Sequence, residues 1–147
     1  MRAQSPPLQP PPLPFPSRRP SPLPQNDCNE GHTVAQMVSD MDSLLGHLNA
    51  SSPTSHVFLA DTIPTGQAFN ACITSWSQAV PGVVAAWAAK GMRITFVPMN
   101  SEVRMCGDAG DDFDLCGGHQ VHPTSAGYPR MASAFALTIM KHFARTG

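Results

Sequence analysis

The stretch GGHQVHPTSAGY, residues 117–128, places a histidine on a short turn directly before a helix. Pro123 disfavours the helical region for His122, the residue that precedes it. Thr124 or Ser125 can cap the following helix, because their side-chain oxygens accept hydrogen bonds from free backbone N–H groups. A histidine held on such a turn titrates near neutral pH and can accept and return a proton. The stretch therefore indicates His122 as a candidate general base.

Two short apolar runs, residues 56–60 and 93–97, predict two strands. Unbroken runs of this kind suit strands that are buried on both faces of a parallel sheet. A helical pattern between them supplies the crossover, so we expect an α/β fold with right-handed connections. Sites in such sheets lie beyond the carboxyl ends of the strands. Asp61, Asn100 and the loop before His122 are all expected at that edge.

Three helices follow from apolar residues at a spacing of about 3.6. The first begins at Thr33 with a capping box. The second covers about residues 68–90, and we expect Pro81-Gly82 to bend or split it. Gly91 suits its C-terminal end, and the third helix covers about residues 124–144. The expected buried faces are Val34, Met37, Val38, Met41, Leu44, Leu45 and Leu48; Phe69, Ile73, Trp76, Val80, Val84 and Trp87; and Met131, Ala134, Phe135, Thr138, Ile139 and Phe143.

The composition changes abruptly near Asn26. Ten of the 16 prolines lie in residues 1–25, which we interpret as a disordered or polyproline-like leader before a domain at 26–147.

A net charge of −1 gives no indication of nucleic-acid binding. The apolar runs are too short to predict a membrane span, and Met1-Arg2 leads into prolines instead of a signal peptide. Residues 99–118 are predicted to form a long acidic loop.

Within the opening stretch, VHPTSAGY (residues 121–128) resembles the last block of the SGNH (GDSL-type) hydrolases, Asp-x-x-His-Pro-x-x-x-Gly-Tyr. His122 matches the catalytic histidine of that family, and His119 stands where the family has aspartate. The resemblance implies a three-layer, flavodoxin-like α/β/α fold and a secreted enzyme. The activity that it implies is the hydrolysis of acetyl or short acyl esters, including esters of carbohydrates, without a cofactor.

Two further site residues come from the same resemblance. Asn26-Asp27 matches the end of the family's Gly-x-Asn-Asp block, in which asparagine donates to the oxyanion, although Pro24 replaces the glycine. A simple turn is the alternative interpretation of Asn26-Asp27. Asp114 is the candidate acid partner of His122. Asp111, Asp112 or a backbone carbonyl could serve instead, and all three carboxylates could simply be solvated.

The sequence contains no Gly-Asp-Ser motif to supply the family's nucleophile. The resemblance therefore extends only from Asn26 to about Phe143, and it implies a truncated domain that keeps two strands of the sheet. We expect this chain alone to be inactive or nearly so, with partly open helix faces. On this hypothesis the leader replaces an exon that encoded the signal peptide and the serine strand. A non-catalytic interaction module that uses the proline-rich arm is the alternative.

Four cysteines allow two disulfides in three possible pairings. A Cys106–Cys116 disulfide that closes the long loop is expected in an oxidising compartment. Zinc is the other possibility, because Cys106, Cys116, His119 and His122 supply sulfur and nitrogen ligands in one region. The spacing of these four residues matches no familiar zinc finger, so we expect no bound metal.

Overall fold

The structure is a computed structural model, and it describes residues 24–66, 70–103 and 122–146. The expected helix, strand, helix, strand and final helix follow one another along the chain, and two short helices that the sequence did not predict add to them. The elements are α1 (Pro24–Asn29), α2 (Val34–Ser51), β1 (Val57–Ala60), α3 (Asn70–Ala89), β2 (Ile94–Val97), α4 (Met99–Glu102) and α5 (Gly127–Thr146). The predicted α/β fold is confirmed. Pro24 and Gln25, which the sequence analysis assigned to the leader, belong to α1.

The sheet consists of two parallel strands, with Val57 paired to Ile94 and Ala60 paired to Val97. Successive side chains point to opposite faces of a strand, and here both faces are covered. One face packs against α2 and α3 through Val57, Leu59, Ile94 and Phe96. The opposite face carries Phe58, Ala60 and Val97 and packs against α4 and α5. The prediction of strands buried on both faces therefore holds, although β1 is only partly buried.

The first face is covered mainly by α2 and α3. Thr33 and Gln36 form the predicted capping box at the start of α2. The Thr33 N–H donates to Gln36 Oε1 over 2.9 Å, and the Gln36 N–H donates to Thr33 Oγ1 over 3.3 Å. All the predicted inner-face residues of α3 that the structure describes are buried, namely Ile73, Trp76, Val80, Val84 and Trp87.

The predicted break in α3 does not occur, because the helix runs without interruption through Pro81. Pro81 and Gly82 are both exposed, whereas their neighbours Val80 and Val83 are buried. Packing of the buried side therefore holds the helix together although proline removes one backbone donor.

The C-terminal end of α3 is a Schellman motif. Gly91 has a φ of +89°, a conformation that glycine adopts without steric cost. Its N–H donates to the Ala88 carbonyl over 2.9 Å, and the Met92 N–H donates to the Trp87 carbonyl over 3.1 Å. Met92 and Trp87 are both buried in the same core, which completes the motif with an apolar contact. The motif directs the chain into β2.

A disulfide between Cys28 and Cys72 joins α1 to α3, with a Cα–Cα distance of 5.8 Å. Cys28 is buried in the core beside Ile73 and Trp76. Of the three possible pairings of four cysteines, this bond leaves only the one that joins Cys106 to Cys116. Those two cysteines lie outside the described residues, so the expected Cys106–Cys116 disulfide stays a prediction.

The opposite face of the sheet is covered less completely than the sequence predicts. Of the predicted inner face of α5, Ala134 is buried, and Met131, Phe135, Thr138 and Ile139 are only partly so. The assignment of Phe143 to that face is wrong, because its side chain is 59% exposed. Leu137 and Met140 are also exposed, at 54% and 66%. A sheet of two strands is too narrow to cover this helix, so the expected open apolar face is present.

We expect the Cys28→Ala/Cys72→Ala double variant to unfold at a lower urea concentration than the native chain. The bond closes a loop with a sequence separation of 44 residues, for which loop entropy predicts a loss of about 4 kcal/mol. Cys106→Ala/Cys116→Ala is the matched control and should leave the α1–α3 connection intact. An unchanged urea midpoint in the Cys28/Cys72 variant would contradict a stabilising role for this bond.

Candidate active site

The carboxyl edge of the sheet brings together Asp61, which follows β1, and Asn100, which follows β2. The Asn100 backbone N–H donates to Asp61 Oδ1 over 2.9 Å. The Asn100 side-chain amide donates to the Thr62 carbonyl over 3.0 Å. These two hydrogen bonds join the loops that leave the two strands. The prediction that Asp61 and Asn100 meet at this edge is confirmed.

Asp61 is 9% exposed, and burial raises the pKa of its carboxyl group. The backbone N–H groups of Asn100 and Met99 act in the opposite direction, because they stabilise the charged form. The Ser77 hydroxyl lies near enough to lower the pKa of Asp61 as well, although it misses full hydrogen-bond geometry. The carboxylate thus caps the first turn of α4. This contact explains why Met99–Glu102 is helical where the sequence analysis predicted loop.

The loop after β1 is also fixed by local contacts. Ile63 and Thr65 are buried, at 4% and 0% exposure. The Thr65 N–H donates to Asn70 Oδ1 over 3.0 Å, which ties the loop to the start of α3. The carboxyl edge near Asp61 is therefore held by specific hydrogen bonds from two sides.

His122 lies at the surface, on the segment that leads into α5. Thr124 provides the predicted cap, because its Oγ1 accepts a hydrogen bond from the Gly127 N–H over 3.3 Å. The Thr124 carbonyl accepts from the same N–H over 2.9 Å and from the Tyr128 N–H over 3.2 Å. The helix begins at Gly127, three residues later than predicted. The histidine is thus held on a capped turn and is not part of a packed core.

The contacts of α5 show which edge of the sheet this turn faces. Near its beginning, Met131 and Ala134 pack with Ala60 and Val97, the last residues of the two strands. Near its end, the His142 ring lies 4.0 Å from the ring of His56, which directly precedes β1. The helix therefore runs antiparallel to both strands. Its first residue, and the His122 turn before it, lie toward the carboxyl ends of the strands.

Asn26 does not join this group in the described residues. It is exposed on α1, and no hydrogen bond or ion pair links it to His122. Its neighbour Asp27 is buried, and burial raises the pKa of the Asp27 carboxyl while His32 lowers it. The His32 Nδ1 atom lies 3.6 Å from Asp27 Oδ1, a pair that the sequence analysis missed. The candidate roles of Asn26 and His122 stay predictions.

Several other predicted site residues cannot be located. Asp114 and the alternatives Asp111 and Asp112 lie outside the described residues, as do Cys106, Cys116 and His119. Within the described part of the chain, no group of three or more possible metal ligands occurs.

An open depression of about 310 Å³ lies between α4 and the early turns of α5. Glu102, Pro129, Arg130, Ser133, Ala134 and Leu137 line it.

The fold and this edge define a class of protein: α/β domains with a parallel sheet, helices on both faces and polar residues at the carboxyl edge. Three solved structures share the fold at 20–21% sequence identity. A carbohydrate esterase family 3 protein from Talaromyces cellulolyticus gives a TM-score of 0.66 at 21% identity, covering 82% of this chain and 55% of that one. An acetyl esterase variant with serine replaced by alanine, solved with an acetate ion, gives 0.66 at 21% identity, covering 83% and 56%.

The third structure comes from Streptococcus pneumonia and is provisionally described as a platelet activating factor. It gives a TM-score of 0.63 at 20% identity, with 76% of this chain and 54% of that chain covered. The present chain thus spans about half the length of the structures it matches. No protein-family model matches the sequence, and no curated protein does. No helix in the described part of the chain has the length and apolar character needed to span a bilayer.

We expect Asp61→Ala to destabilise the fold by about 1–3 kcal/mol, because backbone donors of α4 would lose their buried acceptor. Urea denaturation measures the change. Asp40→Ala is the matched control, since Asp40 is an exposed aspartate on α2, and its replacement should cost at most about 0.5 kcal/mol. Equal unfolding midpoints for the two variants would show that Asp61 does not tie the edge together.

Proposed function

We propose that this chain is part of an SGNH-type ester hydrolase and that His122 is its general base. The observation that carries the proposal is the exposed histidine on a capped turn, at the carboxyl edge of a parallel sheet. The residues from His122 to Tyr128 match the family's last block around that histidine. The likeness to two esterase structures supports the same class of reaction.

The proposed reaction proceeds through an acyl-enzyme. A serine hydroxyl attacks the ester carbonyl while His122 accepts the serine proton. The tetrahedral oxyanion collapses and expels the alcohol, to which His122 returns the proton. Water then attacks the acyl-enzyme while His122 accepts a proton from it, and His122 returns this proton to the serine oxygen as the acid leaves. Asn26 is the proposed donor to the oxyanion, and Asp114 is the proposed partner that orients the His122 ring.

The proposed substrates are acetyl or short acyl esters, including those of carbohydrates. The printed descriptions of two fold neighbours, a carbohydrate esterase and an acetyl esterase, favour this class. The sequence contains no Gly-Asp-Ser motif, so the proposal requires the serine to come from polypeptide outside these 147 residues. The chain alone should therefore hydrolyse esters at or near the uncatalysed rate.

We also propose that the intact protein works in an oxidising compartment, in accord with secretion of the family that it resembles. The Cys28–Cys72 disulfide supports this proposal, because such bonds persist mainly in secreted or otherwise extracytoplasmic proteins.

The interaction of the proline-rich arm with a partner stays an alternative proposal. Deletion of residues 1–23 followed by a pull-down would test this alternative. Partner binding that survives the deletion would show that the proline-rich arm is not the binding segment.

The catalytic role of His122 can be tested in a chimera. The chimera joins this chain to the part of the acetyl esterase that it does not cover, with the native serine restored. We expect hydrolysis of p-nitrophenyl acetate by the chimera, and we expect His122→Ala to lower kcat by at least about a hundredfold.

His47→Ala is the matched control in the chimera, because His47 is an exposed histidine on α2, and it should leave kcat unchanged. A folded chimera that retains its full rate after His122→Ala would refute the proposed role. Substantial esterase activity of the 147-residue chain alone, sensitive to His122→Ala, would refute the requirement for an external serine.

A further inference from the structure

A pair of histidines, His56 and His142, lies at the end of α5 that faces away from the candidate active site. The ring centroids of His56 and His142 are 4.0 Å apart. Phe58 extends the contact, with its ring 4.7 Å from His56 and 5.7 Å from His142. The His56 Nε2 atom lies 2.9 Å from Thr95 Oγ1, which fixes the ring against β2. This aromatic contact joins the end of α5 to the beginning of the sheet.

The charged groups that act on His56 are both basic. The groups that act on His56 from the neighbouring elements are His142 on α5 and Arg93 before β2. The residues that flank His142 on its own helix, Lys141 and Arg145, are also basic and exposed. No carboxylate is among the charged groups that act on His56. A proton added to the His56 ring would therefore meet the positive charges of His142 and Arg93.

Burial lowers the pKa of His56, and the positive charges of His142 and Arg93 lower it further. Undocking of α5 removes the charge of His142, so the pKa of His56 returns toward its ordinary value of 6.5. As the pH falls below 6.5, the undocked state therefore binds more protons than the docked one. By linkage, the docked state loses stability in this range and regains it as the pH rises.

The rest of α5 has few contacts that could compensate. Among its described residues only Gly127 and Ala134 are buried, while Leu137, Met140 and Phe143 are exposed by more than half. Loss of the His142 contact would thus leave the helix attached mainly through Met131, Ala134 and Phe135.

We propose that the His56–His142 contact is an acid-sensitive latch: protonation of His56 releases the C-terminal half of α5 from the beginning of β1. Because α5 carries the His122 turn at its other end, release loosens the position of that turn on the sheet edge. The latch depends only on the packing of α5, and it holds whether or not the chain belongs to an esterase.

Hydrogen exchange of backbone amides, corrected for the intrinsic effect of pH, tests the latch on the full chain. Between about pH 7.5 and about pH 5.5, we expect the opening equilibrium of amides in the second half of α5 to rise about threefold to tenfold. Amides of α3 on the opposite face should change far less. An unchanged opening equilibrium for α5, or an equal change in α3, would overturn the proposal.

Two variants separate the latch from a general effect of acid. His142→Phe keeps a ring against His56 and Phe58 but cannot be protonated, and His56→Gln keeps a polar group near Thr95. His56→Gln should remove most of the pH dependence of α5, and His142→Phe should reduce it, because one of the two positive charges near His56 is lost. His47→Gln should leave the pH dependence intact. Circular dichroism identifies a variant that fails to fold, in which case the other variant decides. A folded variant that retains the full pH dependence would also overturn the proposal.

Discussion

The packing of α5 across one face of two parallel strands is the contact on which the interpretation of this protein depends. Ala134 and Met131 lie against the carboxyl ends of the strands, and His142 lies against the residue before β1. Two contacts at opposite ends of one helix fix its direction. The direction in turn brings the segment before α5, which carries His122, to the edge where parallel sheets place their sites.

The same edge is stabilised by a buried charge rather than by apolar packing alone. Asp61 loses solvation on burial, and its carboxylate accepts hydrogen bonds from the first turn of α4. This hydrogen bond therefore links the ends of β1 and β2. Val97 and Met99, which lie beside it in sequence, pack with Ala134 of α5 in one buried cluster. On the other face of the sheet, the Cys28–Cys72 disulfide attaches α1 to α3. These links add stability that a two-stranded sheet does not have on its own.

Local patterns in the sequence were sufficient for most of the fold. The Thr33–Gln36 capping box, the Gly91 helix end and the Thr124 cap depend on residues close in sequence, so they could be predicted. The break predicted at Pro81 does not occur because buried neighbours hold α3 together. The burial predicted for Phe143 fails because helical spacing cannot reveal how narrow the sheet is. Of the candidate site, Asp61 and Asn100 meet at the predicted edge, and the direction of α5 brings His122 toward it. The His56–His142 contact and the Cys28–Cys72 bond join distant segments, and no local pattern signals them.

The direction of α5 on the sheet can be measured most directly by nuclear Overhauser effects in solution. The account predicts cross-peaks between the rings of His56 and His142, and between the methyl groups of Ala134 and Val97. Observed together, they require a helix that runs antiparallel to the strands and begins at their carboxyl ends. Cross-peaks from Ala134 to residues at the beginning of β1 would contradict the account, because the helix would then be reversed and His122 would lie at the wrong edge.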